Sequence, residues 1–405
     1  MAWNLPVGAD FVPNFFASSS SAPASMDTIS TCLQGQGAVF GAVPTAFANV
    51  SAVLLNQNLA VIPGNWQSGP IQSAFCDIKP EEPCMQSVLE QIKAASFIAF
   101  DQAFFDVIGS NAKVEKIQTF PPSLKHVHEA PVYLPESNEL LYSDTTVTGH
   151  LYAINIDTNA VRQINLDPPL QNVNGGTRHK GRVYVTTNGG SVRGIFEVNV
   201  TTGRVETIAN NYRGRHLNSP NDIIFDSKGN LYFTDPDYGV DNGWKDVQPS
   251  ELPNSVYRVD AKTRFMQSLT VGVVTKPNGL ALSPDESILY IADSNSSTNV
   301  LKSERGVWAF DNREAGLLEN PRLVYLVEGG WPDGLRVTKT GLLFAAVHGG
   351  VDVVDPKSGV VLGRINAPGE TIFNLEPARG KGQWLLTGQD NIYKVTIKEE
   401  PVKEV

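Results

Sequence analysis

One short strand signature recurs six times between residues 139 and 387 of this 405-residue chain. The first copies read Glu139-Leu-Leu-Tyr-Ser-Asp144, Gly181-Arg-Val-Tyr-Val-Thr186 and Gly229-Asn-Leu-Tyr-Phe-Thr-Asp235. The six copies are marked by a large apolar residue at the same place in each, namely Tyr142, Tyr184, Tyr232, Tyr290, Phe344 and Leu385. These markers are 42, 48, 58, 54 and 41 residues apart. A period of this size indicates a repeat architecture.

A second strand-like run and a turn follow each copy, as in Gly194-Ile-Phe-Glu-Val-Asn199 and Ser255-Val-Tyr-Arg-Val-Asp260. The 35 Gly and 26 Pro residues suit many short strands joined by turns. Paired strands that recur every ~40–50 residues are typical of four-stranded propeller blades. We therefore predict an all-β fold, a six-bladed β-propeller. A β-sandwich with accidental self-similarity is disfavoured because both strands recur in all six copies.

The first 120 residues carry no copy of the repeat and are rich in Ser and Ala as far as about Asn65. From Cys84 to about Phe97, apolar residues recur at helical spacing. We predict an N-terminal extension over residues 1–120, which contains this short helix and packs on a catalytic propeller domain over residues 121–398.

The formal net charge is −10, from 32 Lys and Arg against 42 Asp and Glu. An acidic chain without a basic run is poorly suited to nucleic acid or to an anionic membrane surface. No apolar run approaches the ~20 residues that span a bilayer. We therefore expect neither nucleic acid nor membrane as a partner, while the charge is compatible with a cation site.

Three sequons, at Asn49, Asn199 and Asn295, favour a secreted glycoprotein. The first 25 residues lack the features of a signal peptide, so this expectation needs a signal that has been removed, and an intracellular location stays open. Of three cysteines, Cys76 and Cys84 are close enough in sequence to form a disulfide, which would leave Cys32 over.

A carboxylate or carboxamide precedes each strand marker by 10 to 13 residues: Glu129, Asn174, Asn221, Asn278, Asp333 and Asn374. The innermost strands of a propeller line its channel, so these six groups are predicted to face one axis. Burying them without partners is costly, and a cation would compensate. All six offer oxygen, which suits Ca²⁺, while Zn²⁺ favours His or Cys. Other divalent cations, and a simple role as turn formers, are the alternatives.

Several motifs resemble those of the gluconolactonase/regucalcin family: His128-Glu-Ala-Pro-Val-Tyr133, Asn218-Ser-Pro-Asn-Asp222, Lys276-Pro-Asn-Gly-Leu280 and Pro332-Asp-Gly334. The chain looks similar to the fungal lactonohydrolases that open aldonate and pantoyl lactones, over roughly residues 100–397. The resemblance implies a six-bladed propeller and a Ca²⁺-dependent lactonase. It carries the metal ligands over to Glu129, Asn221, Asn278 and Asp333.

The resemblance also implies that the metal polarises a lactone carbonyl while water attacks it. Asp333 is the candidate general base, because it can contact the metal and still reach a water. Asp222 is a second candidate, or a residue that orients Asn221. Among the six histidines, His348 and His128 are further candidate bases, and a structural role is favoured for each.

Residues near the ring are predicted to bind substrate: Asn174, Asn374, His128, Arg178, His179, Tyr238 and Trp331. The expected partner is a small-molecule lactone, whose identity the sequence does not give, and the oligomeric state is equally open. A serine hydrolase, an NTPase and a zinc protease are disfavoured because their motifs are missing. The alternatives are an aryl-ester or organophosphate hydrolase on the same metal, a non-enzymatic Ca²⁺-binding propeller, and a metal-free strictosidine-synthase-like propeller.

Overall fold

The computed structural model describes residues 40–55, 65–67, 78–124, 127–145, 149–190, 192–247, 249–295, 305–313 and 316–402. Cys32, Cys76 and the side chain of Cys84 lie outside this part of the chain, and the expected disulfide lies there with them. No helix among the described residues is long and apolar enough to cross a membrane.

The described residues up to Thr119 form two α-helices and five short strands. In chain order these are β1 (Ala52–Leu54), β2 (Trp66–Gln67), β3 (Lys79–Pro80), α1 (Pro83–Ala94), β4 (Phe97–Ala99), α2 (Phe104–Ile108) and β5 (Lys113–Thr119). β2 pairs with β3, and β1 pairs in parallel with β4.

Two antiparallel four-stranded sheets come next, each with its strands in chain order. The first contains β6 (His128–Leu134), β7 (Glu139–Asp144), β8 (Leu151–Asn155) and β9 (Val161–Ile164). The second contains β10 (Val173–His179), β11 (Arg182–Thr187), β12 (Gly194–Val198) and β13 (Val205–Ala209). A small hairpin, β14 (Asn211–Tyr212) and β15 (Arg215–His216), follows them.

Two more sheets repeat the same pattern. The third contains β16 (Ile223–Phe225), β17 (Leu231–Asp235), β18 (Ser255–Val259) and β19 (Met266–Ser268), with helix α3 (Tyr238–Asp241) between β17 and β18. The fourth contains β20 (Pro277–Leu282), β21 (Ile288–Asp293), β22 (Gly306–Asn312) and β23 (Leu318–Leu326).

The last sheet has eight strands and joins the two ends of the chain. Its C-terminal members are β24 (Leu335–Val337), β25 (Leu343–Asp355), β26 (Val360–Pro377), β27 (Gln383–Gly388) and β28 (Asn391–Thr396). The first part of β26 pairs with β25 and β4, and its last part, residues 372–377, pairs with β27. β5 pairs with β28. β5 is therefore hydrogen-bonded into this sheet, although it lies before the predicted boundary at residue 120.

The first strand of each four-stranded sheet lies next to the first strand of the following sheet. β6 contacts β10, β10 contacts β16, β16 contacts β20, and β20 contacts β24. β24 contacts β26, which in turn contacts β6. These contacts run in one closed circuit through β6, β10, β16, β20, β24 and β26, which we call the inner strands.

The middle strands are buried on both faces. All residues of β7 and β17 are buried, whereas the outer strand β13 is partly exposed throughout. Because each sheet packs face to face against its neighbours, the middle strands are nearly continuous apolar runs instead of alternating ones. This explains why the recurring signature is so apolar.

Helix α1 confirms the predicted helix but ends at Ala94, so its expected extension to Phe97 is wrong. The Asn366 side chain donates hydrogen bonds to the carbonyl oxygens of Ile92 and Ala95, at 3.1 and 2.7 Å, and so satisfies the end of the helix. Phe97 instead begins β4 and pairs with Ile365 of β26.

Phe97 tests how firmly the N-terminal segment is built into the fold. It is fully buried in a core cluster that contains Phe344 and Trp384. We expect Phe97→Ala to lower the free energy of unfolding by about 3–5 kcal/mol, the usual cost of removing a buried phenyl ring. Phe265→Ala is the matched control, because Phe265 is 53% exposed, and its effect should stay within about 0.5 kcal/mol. Urea unfolding measures both, and equal small effects would contradict the packing.

Candidate metal centre and active site

The candidate ligands lie where the inner strands leave regular pairing. Pairing shifts between Glu129 and Val132 in β6, and between Pro277 and Leu280 in β20. β10 and β26 shift in the same way at Asn174 and Asn374. Bulges of this kind re-aim side chains. They allow side chains that would otherwise lie in the faces of the sheets to turn toward the channel.

Glycines after the ligands bring neighbouring turns together. A Cβ added to Gly175 would overlap the carbonyl oxygen of Asn221, and one added to Gly279 would overlap that of Asp333. A Cβ on Gly334 would overlap the Asn374 side chain. Each glycine therefore allows an approach that no other residue permits.

Two side-chain hydrogen bonds link further pairs of neighbouring inner strands at the ligand turns. Asp222 Oδ2 accepts the Leu280 backbone N–H at 2.8 Å and so links the third sheet to the fourth. Asn374 Nδ2 donates to Glu129 Oε2 at 3.0 Å, which links the last inner strand to the first. Asn374 Oδ1 accepts the Leu375 N–H, which fixes the amide that holds Glu129.

A cavity of about 250 Å³ lies over the ring. It brings together seven of the predicted site residues: Glu129, Asn174, Asn221, Asn278, Asp333, Tyr238 and Trp331. Sequence reasoning did not identify six others that line it: Val127, Thr145, Asn188, Asn242, Trp244 and Phe373. The cavity is large enough for a small organic molecule beside the ligand set.

Hydrogen bonds orient two of the amides. Asn278 Nδ2 donates to Ser294 Oγ at 2.9 Å, which leaves its carbonyl oxygen for another partner. Asn188 Nδ2 donates to Asn174 Oδ1 at 2.7 Å, and Asn188 Oδ1 is buried without a hydrogen-bond partner. Asn188 therefore presents an acceptor oxygen of its own to the cavity.

Asp333 is held from one side. Trp331 Nε1 donates to Asp333 Oδ2 at 3.3 Å, while Asp333 Oδ1 is buried without a hydrogen-bond partner. Burial raises the pKa of Asp333 to about 7, the Trp331 N–H opposes this shift, and the Asp222 carboxylate adds to it. Burial also raises the pKa of Glu129 well above its usual range, and Asp333 adds to that shift.

These features fit a divalent cation. The Asp222 carboxylate raises the pKa of Glu129, Asp333 and Glu376, and Arg336 is the cation that opposes the raised pKa of Asp222 and Glu376. Excess buried negative charge with an unpartnered carboxylate oxygen requires compensation. Among the described residues, no group of three or more His, Cys, Asp or Glu is placed to hold a metal ion. Any cation here would therefore depend on amide oxygens beside two carboxylates, a donor set that suits Ca²⁺.

Asp222 is not among the residues that line the cavity. Its Oδ2 is fixed by Leu280, its Oδ1 is buried without a partner, and the Arg336 guanidinium opposes the burial that raises its pKa. This position favours a supporting role under Asn221 over that of general base.

The candidate histidines do not line this cavity either. The His128 ring stacks on Phe120 with centroids 3.6 Å apart, and its Nδ1 lies 2.9 Å from the Gly388 carbonyl oxygen. His348 Nδ1 lies 2.9 Å from Thr371 Oγ1. Contacts of this kind hold an imidazole ring in place, which is the structural role favoured for both histidines from the sequence.

Arg178 and His179, which were also predicted to bind substrate, do not line this cavity. They line a separate cavity of about 330 Å³, where His179 stacks on Phe225 and Arg178 pairs with Glu136. The reason is strand direction. At ~3.3 Å per residue, Arg178 lies about 13 Å along β10 from Asn174.

Two aspartates at strand ends position the ligand turns, and sequence reasoning gave them no role. Asp235 accepts the backbone N–H groups of Asn218 and Ser219 at 2.9 and 2.8 Å. Asp293 accepts those of Thr275 and Lys276, both at 2.9 Å. The recurring Asp at the end of the strand signature was the signal that could have identified them.

Comparison with known proteins agrees with this geometry. The family model described as SMP-30/Gluconolactonase/LRE-like region matches residues 127–375. The chain belongs to this family. The match includes Glu129 and Asn374 and so spans the whole ring of candidate ligands.

Two curated relatives carry names of lactone hydrolases. The gluconolactonase of Zymomonas mobilis is 34% identical over 229 residues, which cover 54% of this chain and 61% of that protein. The lactonohydrolase oryL of Aspergillus oryzae is 28% identical over 306 residues, covering 68% of this chain and 67% of that protein. The match thus spans less than two thirds of the Zymomonas protein.

A solved structure shares the fold. The gluconolactonase from Xanthomonas campestris superposes with a TM-score of 0.64 at 26% identity, over 75% of this chain and 95% of that one. The all-β fold is therefore the propeller-type fold of the gluconolactonase family.

Gly279 offers a test of the close approach between turns. Gly279→Ala should lower the free energy of unfolding by about 1–3 kcal/mol, as overpacking does, because its methyl group overlaps the Asp333 backbone. Gly380→Ala is the control, since a Cβ there would meet only the flexible Gln383 side chain, at 3.3 Å or more. Thermal or urea unfolding measures both, and equal effects would contradict the contact.

The raised carboxyl pKa values predict the pH dependence of cation binding. Without a cation, Asp333 has a pKa of about 7 and that of Glu129 is also raised. A cation must displace these protons, so its affinity should fall as the pH drops below 7, by up to about tenfold per pH unit for each proton displaced. Calorimetry of Ca²⁺ binding in buffers of different ionisation enthalpy counts the protons. Binding that releases no proton at pH 6 would contradict the prediction.

Proposed function

We propose that the protein is a six-bladed propeller whose eight-stranded sheet contains two blades. One blade consists of β24, β25, the first part of β26 and β4. The other consists of the last part of β26, β27, β28 and β5. The closed ring of six inner strands supports this count. In this arrangement the propeller domain begins near β5, at residue 113, and the segment before it adds a strand to the preceding blade.

We propose that the cavity over the ring hydrolyses a lactone to its hydroxy acid. The observation that carries this proposal is the buried ring of carboxylate and amide oxygens, with the unpartnered Oδ1 of Asp333 at a cavity of small-molecule size. Family membership and the names of the relatives support it. A purely structural propeller has no need for clustered buried carboxylates at its axis.

Glu129, Asn221, Asn278 and Asp333 are the residues that would hold Ca²⁺. Their donors are all oxygen, and only two of the four are anionic, a mixture that Ca²⁺ accepts more readily than Zn²⁺. A cation bound by them supplies a Lewis acid toward an ester carbonyl.

The remaining chemistry belongs to the chain. Asp333 accepts a proton from the attacking water, and the Trp331 N–H holds this carboxylate in place. When the ring C–O bond breaks, the same proton passes to the leaving oxygen, and the product is a hydroxy acid. Trp244 and Tyr238 form walls of the cavity in which this occurs.

The test is hydrolysis of glucono-, galactono- and pantoyl lactone and dihydrocoumarin, followed by pH-stat, with phenyl acetate and paraoxon as rival substrates. We expect lactone turnover that is lost with EDTA and restored by Ca²⁺. Turnover of phenyl acetate or paraoxon alone would favour the aryl-ester or organophosphate alternative. Tight Ca²⁺ binding without any turnover would favour a binding protein.

Two substitutions separate the catalytic site from the fold. Asp333→Asn should lower kcat/KM by at least about 10²-fold, the usual contribution of a catalytic acid or base. Glu129→Gln should lower it as well, because it removes one of the two anionic ligands of the cation, and circular dichroism should stay unchanged in both. Glu206→Gln on the exposed strand β13 is the matched control and should retain full activity. Activity of Asp333→Asn close to that of the wild type would exclude this residue as the base.

A further inference from the structure

The segment between β17 and β18, residues 236–254, covers one side of the cavity. It contributes Tyr238, Asn242 and Trp244 to the lining. The Trp244 ring also packs on the turn at Gly189, where an added Cβ would lie 2.8 Å from it. The positions of the two aromatic rings therefore determine the shape of the space left for a substrate.

Lys276 holds this segment from the neighbouring sheet. Its Nζ pairs with Asp237 at 3.1 Å and with Asp241, and it lies 5.7 Å from the centre of the Tyr238 ring. The Lys276 side chain is only 6% exposed. A buried ammonium group needs anionic partners, because water cannot replace them. The two aspartates flanking Tyr238 therefore hold helix α3 in place.

Other hydrogen bonds support the same arrangement. Asn254 Nδ2 donates to Asp237 Oδ1 at 2.8 Å and to the Thr275 carbonyl oxygen at 3.0 Å. The Gly239 N–H donates to Ser219 Oγ at 2.9 Å. Asp237 thus has a second partner, whereas no hydrogen bond other than that from Lys276 is found for the Asp241 carboxylate among the described residues. Asp241 is consequently the place where the ion pair can be broken with least disturbance elsewhere.

We propose that Lys276 is a positioning residue for substrate selectivity, which acts by fixing Tyr238 and Trp244 at the cavity through its ion pairs with Asp237 and Asp241. This inference rests on the proposed lactone hydrolysis. The Tyr238 hydroxyl is buried near the Ser294 side chain, and no partner among the described residues meets the geometry of a hydrogen bond to it. It is therefore positioned to bond a hydroxyl group on the lactone ring. Release of α3 weakens this bond and leaves the attack on the carbonyl unchanged.

The experiment compares Asp241→Asn, Lys276→Met and the double variant with the wild type. Asp246→Asn is the matched control, because no ion pair of its carboxylate is found in the described part of the chain. Hydrogen exchange of the amides of residues 237–247 reports the ion pair. The ratio of kcat/KM for glucono-δ-lactone to that for unsubstituted δ-valerolactone reports selectivity, and calorimetry reports Ca²⁺ affinity.

We expect faster exchange in Asp241→Asn and Lys276→Met, and no change in Asp246→Asn. The selectivity ratio should fall about fivefold, as for the loss of one hydrogen bond. The fall should come from KM for the hydroxylated lactone, with Ca²⁺ affinity unchanged in Asp241→Asn. The double variant should be no worse than Lys276→Met, since both changes remove one interaction.

The possible failures differ from one another. Unchanged exchange in Asp241→Asn would overturn the role of the ion pair. Faster exchange with an unchanged ratio would overturn the link to selectivity. A wild-type protein that hydrolyses neither these two lactones nor any other lactone of the panel above would overturn the proposed function, and the selectivity role with it, whatever the exchange data show.

Discussion

Glu129, Asp222, Asp333 and Glu376 bring four carboxyl groups into one buried channel, and the Arg336 guanidinium lies among them. Burial raises the pKa of each, because a charge removed from water must be compensated by a proton, an ion pair or a cation. Arg336 pairs with Glu376 at 2.9 Å and lies close enough to Asp222 to oppose the rise in its pKa, whereas Glu129 and Asp333 have no such partner among the described residues. The channel is therefore divided into a layer neutralised by the protein itself and a layer that a cation can neutralise.

The turns that carry the ligands can meet for two reasons. The strands are irregular at the ligands, and the residues that follow three of the ligands are glycines without a side chain. A side chain in a regular strand lies in one face of the sheet, where it would pack against the next sheet. The bulges at Glu129, Asn174 and Asn278 remove this restriction. Gly175, Gly279 and Gly334 then let the backbone of one turn touch the next ligand. The same contacts that position the ligands thus hold the inner strands together.

The sequence predicts the periodic part of this structure well. Six apolar signatures and six oxygen-bearing residues in phase with them are enough to predict sheets around an axis and a ring of candidate ligands, because both properties repeat with the chain. Features that depend on direction or on distant pairing are not predicted. Arg178 lies close to Asn174 in sequence but lines a different cavity, and Asn374 donates a hydrogen bond to Glu129. The strands β4 and β5 carry no copy of the signature. Their partners, β26 and β28, lie far along the chain, so nothing in the local sequence predicts these pairings.

The N-terminal strands join the first and last sheets of the ring. β5 continues along the chain into β6 of the first sheet and pairs with β28 of the last sheet. The inner strands are linked at the axis, where carboxylates repel one another unless protons or a cation neutralise them. At the outer edge, β4 pairs with the first part of β26 and β5 pairs with β28. Backbone hydrogen bonds at the edge do not depend on a cation. If Ca²⁺ is bound at the proposed site, its removal should therefore loosen the centre of the ring first, at the turns of Glu129 and Asp333, while β4 and β5 keep the sheets assembled around it.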